Sequence, residues 1–207
     1  MEQIPEPARE RLLTLLGIFE QHPGEMLKSG GIEALTGWAR ETIRKDLSCL
    51  NGEAAGSAGG YRAQVLIPAL KRALGLDSPR RYCIVGLGRL GSALLNEESF
   101  ARGEFELAAG FDTNVNRVEI LGGKTPLYPS YKMSEVISRL GIAIAILCVP
   151  REAAQSAAEK LAAAGIQGIL NFTPRTLTLP AAVTVRNLYV ADGLRSLAVA
   201  MGRREKD

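Results

Sequence analysis

The sequence predicts an α/β protein in two parts, a helical module over 1–77 followed by a doubly wound parallel sheet over 78–207. Three observations predict it. Apolar residues recur at helical spacing before Asp77-Ser78-Pro79. Beyond that point short apolar runs alternate with helical stretches, the order that builds a parallel sheet. One of those runs, IAIAILCV over 142–149, is apolar at every position, as a strand covered on both faces must be.

In the first part, Leu12, Leu13, Leu15, Leu16 and Phe19 mark a helix that starts near Pro7 and stops at His22-Pro23-Gly24. A short helix over 31–35 ends in a turn at Thr36-Gly37. A third follows over 39–50, with Ile43, Leu47 and Leu50 on its apolar side and Arg44 and Lys45 a step around from it. The stretch NGEAAGSAGGYR over 51–62 reads either as a flexible linker or as a hairpin after a helix-turn-helix. A helix over 64–74 closes the module. In the second part the predicted strands are 82–85, 107–111, 142–149, 168–170 and 183–185, and the predicted helices 132–140, 152–164 and 190–201. The last helix is apolar over much of its surface, through Leu194, Leu197, Val199 and Met201, and has no evident partner in its own domain.

Composition narrows the function. The chain has 207 residues, 46% hydrophobic and 23% charged, a globular balance, and no apolar run long enough to span a bilayer. The opening MEQIPEPARE leads us to expect no secretory signal, and Cys49, Cys83 and Cys148, far apart and odd in number, show no metal-ligand spacing and no disulfide framework, so a reducing cytoplasm is expected. The net charge of +3 does not by itself announce nucleic acid, but the region over 40–72 holds a local cationic excess through Arg40, Arg44, Lys45, Arg62, Lys71 and Arg72.

The most specific motif is Gly86-Leu87-Gly88-Arg89-Leu90-Gly91, a GxGxxG that leaves one apolar strand and opens a helix. Asp112 stands at the end of the next strand, 21 residues beyond Gly91. Strand, glycine turn, helix and a distal acid form the dinucleotide fingerprint of a Rossmann unit. Gly86 turns the chain, Gly88 lets a diphosphate approach the backbone, and Gly91 lets the helix lie close to the sheet. The helix tip offers unpaired N–H groups to phosphate. Asp112 is expected to take the adenosine ribose hydroxyls and repel a 2′-phosphate, which favours NAD(H). Val149-Pro150 and Asn171 lie at the carboxyl ends of other strands, where the nicotinamide half of such a ligand would rest. Hydride-transfer enzymes also need a proton donor there. The single histidine, His22, lies in the other domain, and nothing in the sequence marks Cys148 as a thiolate, so an oxidoreductase is a minor alternative.

These residues, taken with Arg44-Lys45-Asp46-Leu47-Ser48, Gly60-Tyr61, Leu74-Gly75-Leu76-Asp77, Phe111-Asp112, Val149-Pro150, Ala154-Gln155, Gly165-Ile166 and Asn171-Phe172-Thr173-Pro174, resemble the bacterial redox-sensing repressor family Rex in order and spacing. The resemblance implies an N-terminal winged helix, a C-terminal Rossmann domain and a homodimer that exchanges its last helix. It implies pseudo-palindromic double-stranded operator DNA as partner and release from it when NADH replaces NAD+. Arg44 and Lys45 match the recognition-helix pair, Tyr61 the tyrosine closing the wing, and Ser29 a serine before the second helix; Thr42 is a further candidate for a base or phosphate contact. The sequence departs from the family at Arg89, where Asn is common, and at Leu15, Glu97 and Tyr189, where the family commonly has Tyr, Tyr and Asp. A regulator with altered redox sensing is therefore the second expectation.

Overall fold

The computed structural model describes residues 4–50, 60–97 and 103–204. The chain divides into two compact units, Met1–Ser78 and Pro79–Asp207.

In the first unit α1 (Glu6–Gln21), β1 (Met26–Leu27), α2 (Ser29–Thr36), α3 (Arg40–Ser48), β2 (Tyr61–Arg62) and α4 (Ala63–Leu74) follow in order. One core holds them together: Leu12, Leu15, Leu16 and Phe19 of α1 meet Ile32, Ile43, Leu47, Leu50, Leu66 and Leu70. Leu13 is exposed, against the predicted stripe, because one residue on from Leu12 the helix has turned by about 100°. Gly37 ends α2, and three residues later α3 begins, the short turn of a helix-turn-helix pair. Most of the stretch read as linker or hairpin, 51–59, lies outside the described residues. Its far end is held in a ladder, with β2 antiparallel to β1 through Met26–Arg62 and Leu27–Tyr61.

The second unit runs β3 (Arg80–Val85), α5 (Arg89–Leu95), β4 (Phe105–Asp112), α6 (Val115–Ile120), β5 (Leu127–Pro129), α7 (Met133–Leu140), β6 (Ile144–Leu147), α8 (Arg151–Ala163), β7 (Gly168–Asn171), β8 (Thr184–Asn187) and α9 (Val190–Arg204). The six strands pair in the order β5-β4-β3-β6-β7-β8, all parallel. This is the strand order of the dinucleotide fold, and the apolar β6 lies centrally as predicted. Side chains alternate along β3: Cys83 and Val85 enter the core under α7 and α8, while Tyr82 and Ile84 face the other way, toward Leu94 and Leu95 of α5. Sequence periodicity marks neither α6 nor β5, which at six and three residues are too short to show a period. On α9, Val190, Leu194, Leu197 and Met201 share one stripe, and all four are exposed.

Candidate functional site

Strand order reverses between β3 and β6, and the loops leaving these strands meet there. A Cβ on Gly86, which has φ +91°, would lie 2.6 Å from the Cys148 carbonyl oxygen. A side chain on Gly91 would run into the Gly86 carbonyl oxygen. These two positions therefore accept only hydrogen, because the two loops and the start of α5 are in contact. Above Gly88, the residue preceding α5, the space is open, with no atom within 4 Å of where a Cβ would be. A crevice floored by bare backbone, open over the middle glycine, fits a diphosphate.

The other residues of the motif divide by role. Leu87 is 1% exposed, so its side chain belongs to the core beside Tyr82 and Ile84. Its N–H donates to Asp112 Oδ2 at 2.7 Å, which takes that amide out of the set facing a ligand. Arg89 and Leu90 are exposed on the first turn of α5.

Asp112 stands where the fingerprint puts it, at the end of β4, yet it is only 5% exposed. Its Oδ1 accepts the Asn114 N–H at 2.8 Å, and Oδ2 accepts Arg117 Nη1 at 3.0 Å besides the Leu87 amide. Burial pushes this carboxyl up, but the Asn114 amide, Arg117 and the Leu87 amide together outweigh burial and hold it below the usual carboxylate range. An ionised carboxylate offers about four acceptor positions, and three are filled, so it ties the glycine loop to α6 and keeps little for a sugar. Arg117 itself was not foreseen. Its backbone N–H is held by the side chain of Asn114, which caps α6.

At the neighbouring strand ends, Val149 packs on the core and Pro150 precedes α8. Asn171 is fully buried. Its Nδ2 donates to the Arg175 carbonyl and to Asn187 Oδ1, while its Oδ1 accepts from the Thr173 N–H and hydroxyl. All four positions of the amide are used, so its side chain shapes the loop and leaves nothing for a ligand. Cys148, half-buried at the crevice, has its thiol pushed up to about 11 by burial and stays protonated at neutral pH. Leu15 is core, whereas Glu97 and Tyr189 are exposed.

The first unit carries the cationic face. Arg44 and Lys45 are exposed on α3, a step around from buried Ile43 and Leu47, and Thr42 is half-buried on the same helix. Ser29 opens α2, and Tyr61 pairs with β1 while its ring rests against the core. Two pairings invisible to sequence periodicity hold α3 in place. Arg11 of α1 grips Asp46 through Nε at 2.6 Å and Nη2 at 2.9 Å, the two-toothed geometry of guanidinium and carboxylate. Arg40 reaches back to Glu33 of α2 at 2.6 Å. Asp46 is buried, and the signal that could have found this pair is an acid at a core-facing position of an otherwise cationic helix.

A helix-turn-helix unit with a basic second helix, joined in one chain to a dinucleotide-type sheet, defines a class: a DNA-binding regulator with a nucleotide-binding effector domain. Comparison with known proteins agrees. Residues 77–175 match the family model described as CoA binding domain. The chain is 41% identical to the redox-sensing transcriptional repressor Rex of Thermus thermophilus, over 96% of this chain and 94% of that protein. It is 34% identical to the Porphyromonas gingivalis protein of the same name, over 89% and 86%. Among solved structures it is similar to RSP, a Rex-family repressor, at TM-score 0.83 and 28% identity over 98% of this chain and 95% of that one. It is also similar to RSP in complex with NAD+ and operator DNA, at TM-score 0.85 and 29% identity over 98% and 94%. The chain belongs to the Rex family of redox-sensing transcriptional repressors. No helix among its described residues is long and apolar enough to cross a membrane.

Proposed function

We propose that this chain is a homodimeric repressor that binds pseudo-palindromic operator DNA and leaves it when NADH occupies the Rossmann crevice. The observation that carries this reading is the likeness to RSP bound to NAD+ and operator DNA, which spans both units of this chain together. RSP is also known in complex with NADH. Arg44, Lys45 and Thr42 face the major groove, with Ser29 and Tyr61 flanking them. Arg44 and Lys45 take phosphate or guanine, as exposed cations of a recognition helix do. The diphosphate of NAD(H) rests over Gly86, Gly88 and Gly91 with the Arg89 and Leu90 amides nearby, and the adenosine ribose lies toward Asp112. The nicotinamide, the redox-active part of the ligand, lies toward Val149 and Pro150, with Asn171 shaping the loop behind it.

The chain acts as a regulator in the cytoplasm and not as an enzyme. The crevice offers a protonated thiol at Cys148, and the one histidine, His22, is on the other unit. Domain 1–77 reads the DNA and domain 78–207 reads the nucleotide. The coupling is a population shift: NADH favours the dimer arrangement that does not fit the operator. A tenfold loss of operator affinity needs only about 1.4 kcal/mol of differential binding.

The test is fluorescence anisotropy on a labelled pseudo-palindromic duplex, selected on the protein itself and titrated with NAD+ and with NADH. NADH is expected to weaken the complex at least about tenfold relative to NAD+, the range typical of allosteric coupling. Equal responses to both nucleotides would reject redox sensing and leave a repressor. Failure of the selection to yield any bound duplex would reject the repressor.

A further inference from the structure

The clasp on Asp112 bears on which dinucleotide the crevice accepts. An acid at the end of the second strand excludes a 2′-phosphate when its charge faces the ribose uncompensated. Here the carboxylate is 5% exposed and carries a guanidinium on Oδ2, with Nη1 of Arg117 at 3.0 Å. The Arg117 side chain is 42% exposed, so at this corner the group presented to solvent is the cation and the anion lies beneath it. Arg117 makes one hydrogen bond with its guanidinium among the described contacts, out of five possible donors. Asp112 is also held by the Leu87 and Asn114 amides, which do not involve Arg117. Two of the three contacts to the carboxylate therefore persist when the guanidinium moves.

We propose that Arg117 determines specificity at the ribose: it turns from Asp112 onto a 2′-phosphate, so the site tolerates NADPH and does not reject it outright. The inference rests on the nucleotide site proposed above. Unphosphorylated NADH needs no such movement, since the remaining acceptor position of Asp112 serves one ribose hydroxyl while Arg117 stays in place. The cation therefore matters for one cofactor and little for the other.

Isothermal titration of the full chain with NADH and with NADPH tests this, using Arg117→Ala and Arg117→Lys. In Arg117→Ala the ratio of the NADPH to the NADH dissociation constant is expected to rise at least about tenfold, the worth of one charged contact to phosphate, while NADH affinity moves less than about threefold. Arg117→Lys, which keeps a point charge, is expected to retain most of the wild-type ratio. Added salt should weaken NADPH binding more steeply than NADH binding in the wild type and lose that difference in Arg117→Ala. An NADPH-to-NADH ratio that stays within about threefold of wild type in Arg117→Ala, or that falls, overturns the proposal. Should Arg117→Ala unfold, a ratio in Arg117→Lys at the wild-type value with no salt difference between the two nucleotides overturns it as well. If the wild type takes up neither nucleotide, the error lies in the site and not in the role of Arg117.

Discussion

The two units build their surfaces from opposite materials. On the first unit the proposed DNA face is made of side chains: Arg44 and Lys45 stand on a helix whose other side is closed in the core, and the helix is fastened by Asp46 to Arg11. On the second unit the proposed nucleotide face is made of backbone and of missing side chains at Gly86, Gly88 and Gly91. Recognition and folding are thus separable in the first unit and, at Gly86 and Gly91, fused in the second. The same contrast holds for the two buried acids. Asp46 meets its arginine through two contacts from α1, whereas Asp112 has one arginine contact and two backbone amides, so backbone carries more of its hold.

The largest effect expected from this contrast is on DNA. Arg44→Ala together with Lys45→Ala should weaken operator binding by about 3 kcal/mol, roughly a hundredfold or more, and cut the slope of log affinity against log salt by about two. Thermal unfolding and NADH affinity should stay at wild-type values. A parallel loss of NADH binding in that variant would break the idea that the first face is separable.

Next comes the glycine pair. Gly91→Ala forces a methyl into the Gly86 carbonyl and should cost about 2 kcal/mol of stability, with NADH affinity falling alongside. Gly88→Ala enters open space, so it should spare the fold and still obstruct NADH. Calorimetric melting and titration of the two variants side by side sharpen the point. Stability and binding falling together at Gly91 but apart at Gly88 is the expected result.

The smallest effect is on acid stability. The native Asp112 carboxyl is held below its value of about 3.9 in an unfolded chain. Its contribution is therefore complete above about pH 4 and is lost as pH falls through the lower native value. Unfolding of the wild type between about pH 5 and pH 2 should steepen relative to Asp112→Asn, which has no proton to gain.

The sequence disclosed the parts of the fold with a strong period: the stripe of α1, the apolar β6 and the glycine motif between β3 and α5. It also located Asp112 by spacing alone. What it hid is tertiary. Nothing local to Asp112 says that the Leu87 amide, 25 residues earlier in the chain, reaches its carboxylate, or that Arg117 turns back onto it from a six-residue helix. Leu87 belongs to a nucleotide motif by sequence and to the hydrophobic core by structure, because a residue between two ligand-facing glycines still has to point somewhere. Asn171 illustrates the same gap: a polar residue at a strand end looks available until its four hydrogen bonds are counted.

In the proposed homodimer, the bare stripe of α9 makes gene dosage a second input. A solitary copy leaves Val190, Leu194, Leu197 and Met201 in water, where hydration of apolar surface is unfavourable, and in the homodimer proposed above a second copy would shelter them. For a repressor assembled through that stripe, halving the cellular amount near the association threshold lowers operator occupancy by up to fourfold, a roughly quadratic response that requires no change in redox state.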